Sequence, residues 1–193
     1  MTFDVMTLYL FAGPNGSGKS TLIKNYIPYY GLDDVEYICP DIYASELFSD
    51  TDDIYERYKK AIDFAAYKRQ KLLSMGRSMI IETVLSRSDK LDFVAHARSL
   101  GYKIISVFVG TASADINCER VKRRVTEGGH DVPEEKIRTR YARSLGNLPL
   151  LAECSDELYV YDNSGEHPAL ALSVIDEDIV ITAKAPDWVK NLF

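Results

Sequence analysis

The sequence predicts an α/β fold, a parallel sheet with helices on both faces, and three observations carry that prediction. An apolar run from Met6 to Ala12 enters a glycine-rich turn that opens a helix. Beyond it, β-rich runs alternate with segments of helical period, the pattern of βαβ units. The bulk composition is globular. Of 193 residues, 46% are hydrophobic and 27% charged, enough to bury a core without disulfides or a structural metal. A single domain over 1–193 is expected.

Taken in order, Met6 to Ala12 reads as a buried strand, too short for a membrane span and without a basic leader. Gly13 to Ser20 forms a loop, and the helix it opens fades near Pro28. Val35 to Ile38 is a second short strand. Ile54, Tyr58, Ala61, Ile62, Ala65, Leu72 and Leu73 then recur at helical spacing up to Gly76, a C-cap, so one long helix covers this stretch. Ser78 to Thr83 and Tyr102 to Val109 are strands flanking a helix with Leu91, Val94 and Ala95 inward and Gly101 after its end.

Two more helices follow, one from about Asp115 to Glu127 and one from near Pro133, where Asp131 and Glu134 resemble a capping box. Gly128-Gly129-His130-Asp131 between them reads as a hinge, so 115–147 is expected to form a helical lid. Ile137, Tyr141, Leu145 and Leu148 repeat at helical spacing, which makes Tyr141 a core residue. Leu158 to Asp162 and Ile179 to Thr182 are closing strands of the parallel sheet.

Charge narrows the partners. A formal charge of -6 argues against a broad surface for nucleic acid or anionic lipid. Basic residues are nonetheless concentrated between Arg120 and Arg143, eight against four acidic ones, as a phosphate site requires. Cys39, Cys118 and Cys154 are odd in number and widely spaced, which suggests neither a disulfide framework nor a zinc site and fits a reducing cytoplasm.

Gly13-Pro14-Asn15-Gly16-Ser17-Gly18-Lys19-Ser20 matches the P-loop (Walker A) pattern in full, after a strand and before a helix. Its glycines let backbone N–H groups face phosphate oxygens at a helix N-terminus. Lys19 reaches the β/γ-phosphates and Ser20 ligates Mg²⁺. Residues 13–20 with Thr21 are thus the expected ATP site, in a P-loop NTPase fold. ATPases, GTPases and kinases share this loop. No Asn-Lys-x-Asp run for guanine and no Leu-Ser-Gly-Gly signature is present.

Asp41 stands just beyond the second strand, at the sheet edge where such folds bind ligands. It reads either as the general base of a kinase or as the N-cap of a helix over Ile42 to Phe48. Glu82 and Thr83 end an apolar strand at the same edge, a Walker-B-like position able to order Mg²⁺ through water or hold substrate hydroxyls. Asp162 ends another strand but reads as part of a plain turn through Gly165. Arg120 and Arg124 share a helix face beside the hinge, and Arg140 follows it, so these forks are expected to close on the transferring phosphoryl group. Lys122, Arg123, Arg138 and Arg143 read as a solvated face. His130 either bonds phosphate or caps the following turn.

Ile38-Cys39-Pro40-Asp41, Glu82-Thr83-Val84-Leu85-Ser86, the stretch from Arg120 through Pro133 and Arg140 through Leu148 together resemble the zeta-toxin family of P-loop kinases, in its compact branch often labelled as predicted ABC-type ATPases. The resemblance covers most of the chain and implies a kinase-like fold. It puts Asp41 at the catalytic-base position, Glu82 and Thr83 at substrate positions, and Arg120 and Arg124 at phosphate-facing ones. It further implies phosphorylation of a small-molecule hydroxyl, with UDP-N-acetylglucosamine the first candidate acceptor, and leaves room for an antitoxin protein as partner. Two departures border the acceptor pocket: Cys39 where asparagine is usual, and Val84 where a second threonine is common. The competing expectation is an NTPase that couples ATP hydrolysis to a conformational or partner-binding cycle.

Overall fold

Residues 5–129 and 131–193 are described by the structure, a computed structural model. Strands β1 (Thr7–Ala12), β2 (Glu36–Ile38), β3 (Met79–Thr83), β4 (Lys103–Gly110), β5 (Glu157–Asp162), β6 (Ala169–Ile175) and β7 (Asp178–Ile181) form a seven-stranded sheet in the order β2-β3-β1-β4-β5-β6-β7. The pairings from β2 through β5 are parallel, while β6 and β7 return antiparallel.

Alternation along β1 explains the two-sided core. Leu8, Leu10 and Ala12 face one side, where α3 (Ile54–Ser74), α4 (Asp89–Ser99), α7 (Leu148–Cys154) and the short α8 (Asp187–Lys190) contribute Leu72, Leu91, Leu148 and Val189. Phe11 faces the other side, packed with Ile23 of α1 (Lys19–Tyr29), Ile80 and Val107. Such fully buried aliphatic side chains stabilise by about 1.5–3 kcal/mol each. Helices α5 (Ala114–Thr126) and α6 (Glu134–Gly146) pack on each other through a separate small cluster of Cys118, Val121, Val132 and Ile137. This pair of helices therefore has a core of its own.

Several expectations change. Asp41 does not cap: α2 (Pro40–Glu46) begins at Pro40 with Cys39 at the N-cap, so Asp41 lies inside the first turn, where a carboxylate is favoured. Asp131 and Glu134 form no capping box, because α6 starts at Glu134 behind Pro133 and no side chain caps it. Ala95 faces solvent and Ala97 the core, since the inward stripe of α4 continues from Leu91 and Val94 at a spacing of three. Ile54 and Ile62 of α3 are likewise exposed. The helix after the hinge breaks at Asn147, and Pro149 opens α7 as a separate element. The strand expected at Ile179 to Thr182 is an exposed edge, and β6, which the sequence did not announce, intervenes. Its Ala-Leu-Ala-Leu run is poor in β-branched residues, so the preference came from burial of Ala171, Leu172 and Val174 and not from propensity.

Register positions the site. Phe11 pairs with Glu82 and Ala12 with Thr83, so the turn after β1 opens beside the end of β3. β3 separates β1 from β2, so Asp41, in the helix that follows β2, starts two strands away from that turn.

Candidate active site

Gly13 to Gly18 wraps the end of β1, and three close approaches, two to backbone carbonyls and one to a side chain, explain its glycines. A Cβ on Gly13 would stand 2.1 Å from the Val109 carbonyl oxygen, one on Gly16 2.6 Å from that of Asn117, and one on Gly18 2.3 Å from Asn163 Nδ2. Gly16 and Gly18 also have φ of 77° and 97°. Gly13→Ala is accordingly expected to cost about 1–3 kcal/mol of stability and to weaken nucleotide binding. Thermal unfolding with and without ATP measures both, and wild-type values for the variant would show that the loop relaxes freely.

Lys19 is buried beneath this loop. Its Nζ donates to the Pro14 carbonyl oxygen at 2.9 Å and lies 3.8 Å from Glu82 Oε1. Burial is the main reason its pKa lies below the ordinary lysine value; the Glu82 and Asp41 charges oppose that shift and Arg124 adds to it. Ser20, the next residue, donates its hydroxyl to Glu82 at 3.0 and 3.1 Å from the two carboxylate oxygens. Tyr37 donates to Glu82 Oε2 at 2.7 Å. The carboxylate is thereby fixed beside the phosphate loop, and burial followed by the Glu82 charge pushes the Tyr37 phenol well above its usual range.

Asp41 and Arg124 bring opposite charges to bear on the same groups. Both charges bear on Lys19, and both bear on Tyr58 of α3, whose phenol burial and Asp41 push up while Arg124 pulls it down. Gly129 makes room for this arginine: a Cβ there would come within 2.6 Å of Arg124 Cγ. Arg120, one turn earlier, donates instead to the Gly165 carbonyl oxygen at 3.3 Å. Arg140 donates to Asn15 Oδ1 at 3.3 Å, linking α6 to the loop. Thr83 Oγ1 accepts from the Leu85 N–H at 3.2 Å and so holds a turn in which Leu85 has a φ of 57°. His130 lies outside the described residues.

Three residues without a sequence signal brace the loop. Asn117 Nδ2 donates to the Asn15 carbonyl oxygen and Asn163 Nδ2 to that of Ser17, each at 2.7 Å, and the Thr111 hydroxyl bonds Asn117 Oδ1. The turn 162–165 is thus a loop support. Tyr141 is half-buried, its hydroxyl donating to the Thr111 carbonyl oxygen at 2.7 Å. Much of the basic run is neutralised locally, Lys122 by Glu134 at 3.0 Å and Arg138 by Asp115 and Glu134 at 2.7 and 2.8 Å.

Ser20 and Glu82 supply a hydroxyl and a carboxylate, hard oxygen donors of the kind Mg²⁺ takes. Among the described residues no group of three or more His, Cys, Asp or Glu side chains could hold a metal alone. A magnesium ion here would complete its shell from phosphate and water, which fits this pair. No helix among the described residues is long and apolar enough to cross a membrane.

A family model described as an AAA domain matches residues 8–144. An uncharacterized protein of Haemophilus influenzae is 27% identical over 133 residues, 68% of this chain and 89% of that protein. Among solved structures, the AvrRxo1-ORF1:-ORF2 complex with ATP superposes with a TM-score of 0.78 at 16% identity over 97% of this chain. This chain spans 63% of the length of that one. A structure from the PezAT chromosomal toxin-antitoxin system of Streptococcus pneumoniae has a TM-score of 0.68 at 18% identity, covering 100% of this chain and 79% of that one. The fold is shared with both, a mostly parallel α/β sheet behind a P-loop with two antiparallel strands at one sheet edge.

Proposed function

The chain belongs to the AAA domain family, and from that premise we propose that it is an ATP-dependent kinase transferring the γ-phosphoryl group to a hydroxyl of a small molecule. The observation that carries this reading is the convergence on Lys19 of Glu82, Asp41 and Arg124. Hydrolysis alone needs a phosphate site, whereas an exposed carboxylate in the first turn of α2, bearing on the phosphate lysine, suits a base for an incoming hydroxyl.

In this proposal the loop N–H groups and Lys19 hold the β- and γ-phosphates, while Ser20 and Glu82 would hold Mg²⁺, which would supply neutralising positive charge to the phosphates. Asp41 accepts the acceptor's proton as its oxygen bonds to the γ-phosphorus. The bond from that phosphorus to the β–γ bridging oxygen breaks, and ADP leaves. Arg124 and Arg140 stabilise the charge on the passing phosphoryl group, and Glu82 and Thr83 orient the acceptor. Segment 115–147 serves as the lid of a single catalytic unit over 1–193, a role supported by its separate apolar cluster and by Gly128 at a φ of 85°. The resemblance to zeta toxins makes UDP-N-acetylglucosamine the first acceptor to test. An antitoxin partner is also proposed, supported by the fold shared with AvrRxo1-ORF1:-ORF2, a two-protein complex, and with the structure from the PezAT toxin-antitoxin system. The place of action proposed is the cytoplasm, where ATP is.

The test has two parts. Purified protein is incubated with ATP, Mg²⁺ and a panel of sugar nucleotides, sugars, sugar phosphates and hydroxy acids, and new phosphorylated species are followed by mass spectrometry. Asp41→Asn is then expected to lower transfer about 10² to 10³-fold while ATP still binds. The helix offers no competing explanation, since Asp41 is not its cap. ATP hydrolysis with no acceptor phosphorylated, or full transfer by Asp41→Asn, would return the protein to a hydrolysis-coupled NTPase.

A further inference from the structure

A cavity of about 230 Å³ opens between α3, α4 and the carboxyl end of β3. Glu82 and Thr83 at the end of β3 line it, together with Arg69 of α3 and Asp89, Lys90 and Phe93 of α4. We propose that this cavity seats the acceptor, and that the acceptor is a hydroxy compound carrying one anionic group, held on Arg69, and smaller than a sugar nucleotide. The proposal rests on the kinase reading above and narrows its substrate.

Size comes first. Ligand pockets for drug-sized molecules run from about 300 to 1,000 Å³. At about 230 Å³ this one falls below that range, which suits a hydroxy acid or a small sugar phosphate. A nucleoside diphosphate joined to a hexose exceeds it.

Charge comes second. Arg69 is half-buried on α3, with its guanidinium carbon 6.0 Å above the centre of the Phe93 ring. Among the described residues no carboxylate lies within ion-pair distance of it. Asp89, the acid whose charge bears on it, is occupied by Arg87 at 3.3 Å and Lys90 at 3.4 Å. Burial is also the main cause of its lowered pKa. A guanidinium taken partly out of water, lying against an aromatic ring and short of a paired anion, offers a fork for a carboxylate or phosphate. Lys90 and Asp89 line the same wall as an ion pair and add no net charge to it.

Connection to the chemistry comes third. Glu82 is among the residues lining this cavity, its carboxylate turned to Ser20 and Tyr37 on the α1 face, whereas Thr83, in register with Ala12, is on the cavity's own face. Thr83 Oγ1 accepts from Leu85 and keeps its own proton to donate to an acceptor oxygen. An acceptor anchored at Arg69 would extend its hydroxyl along the end of β3 toward the γ-phosphate.

Isothermal titration in the presence of a non-hydrolysable ATP analogue tests this. The probes are glycerophosphate, glycerate and quinate, with glycerol and inositol as uncharged counterparts and UDP-N-acetylglucosamine as the large competitor. At least one anionic probe is expected to bind more tightly than its uncharged counterpart, and whether phosphate or carboxylate does so identifies the anion. Arg69→Gln should weaken that binding by roughly 10- to 100-fold, and Arg69→Lys by less. If Arg69→Gln fails to fold, the contrast between Arg69→Lys and wild type carries the measurement. No preference for the charged probes, unaltered binding in both variants, or preference for UDP-N-acetylglucosamine would each overturn the proposal. The kinase reading fails separately. If an anionic probe binds as expected but no panel compound is phosphorylated, the anion site stands and the transfer reaction does not. Phosphorylation of an uncharged acceptor alone does the reverse, keeping the transfer reaction and removing the anion site.

Discussion

Lys19→Ala is expected to lower ATP turnover and phosphoryl transfer by on the order of 10³-fold or more, the scale of losing one preorganised donor to developing charge in a water-poor site. The ammonium is well placed for that role because so little else competes for it. Its one short hydrogen bond is to the Pro14 carbonyl oxygen, and Glu82 stands back at 3.8 Å. Nor should the substitution unfold the protein. Burying this cation is costly, as its lowered pKa records, and removing it relieves that cost. Glu82 is not orphaned, since Ser20 and Tyr37 continue to donate to it. The variant should therefore melt near the wild-type temperature without nucleotide and gain less stability from ATP. Kinetics and melting curves on one preparation separate the effects. Wild-type turnover in Lys19→Ala would remove residues 13–20 as the ATP site.

Features written in consecutive residues were readable in the sequence, and those made by distant residues were not. The phosphate loop and the end of β3 at Glu82 each declare themselves within a few positions, because strand, turn and helix start are local events, while the sequence puts the start of α2 two residues late, at Ile42 and not at Pro40. The braces do not. Tyr37 meets Glu82 across 45 positions, Asn117 meets Asn15 across 102 and Asn163 meets Ser17 across 146. A lone asparagine in a turn carries no mark of the carbonyl it will satisfy. The arginines of α5 show the same boundary: their shared face was visible, but not that Arg120 would bond Gly165 while Arg124 bears on Lys19. Cys39 shows it at a family departure. Being buried, with its thiol pKa pushed up mainly by desolvation, it acts as a small apolar filler at the start of α2.

Arg124→Ala is expected to reduce kcat by about 10³-fold while changing the KM for ATP little, the behaviour of an arginine that meets charge only as the phosphoryl group moves. Three observations favour it over its neighbour. Its charge already bears on Lys19, its stem crosses Gly129 where a Cβ would collide with it, and it opposes Asp41 at Tyr58. Arg120 differs. One of its terminal nitrogens donates to the Gly165 carbonyl oxygen and the other is buried without a hydrogen-bond partner, so its first task is to hold the turn that carries Asn163. Arg120→Ala should then lower the melting temperature and loosen the loop through Asn163, with a smaller loss of kcat than Arg124→Ala. Gly129→Ala should reproduce part of the Arg124→Ala defect, because the new methyl displaces the arginine stem without removing its charge. Steady-state kinetics on the three variants decide the matter. Equal losses for the two arginines would restore a joint clamp, and a normal kcat in Arg124→Ala would leave its side chain as part of the solvated face of α5.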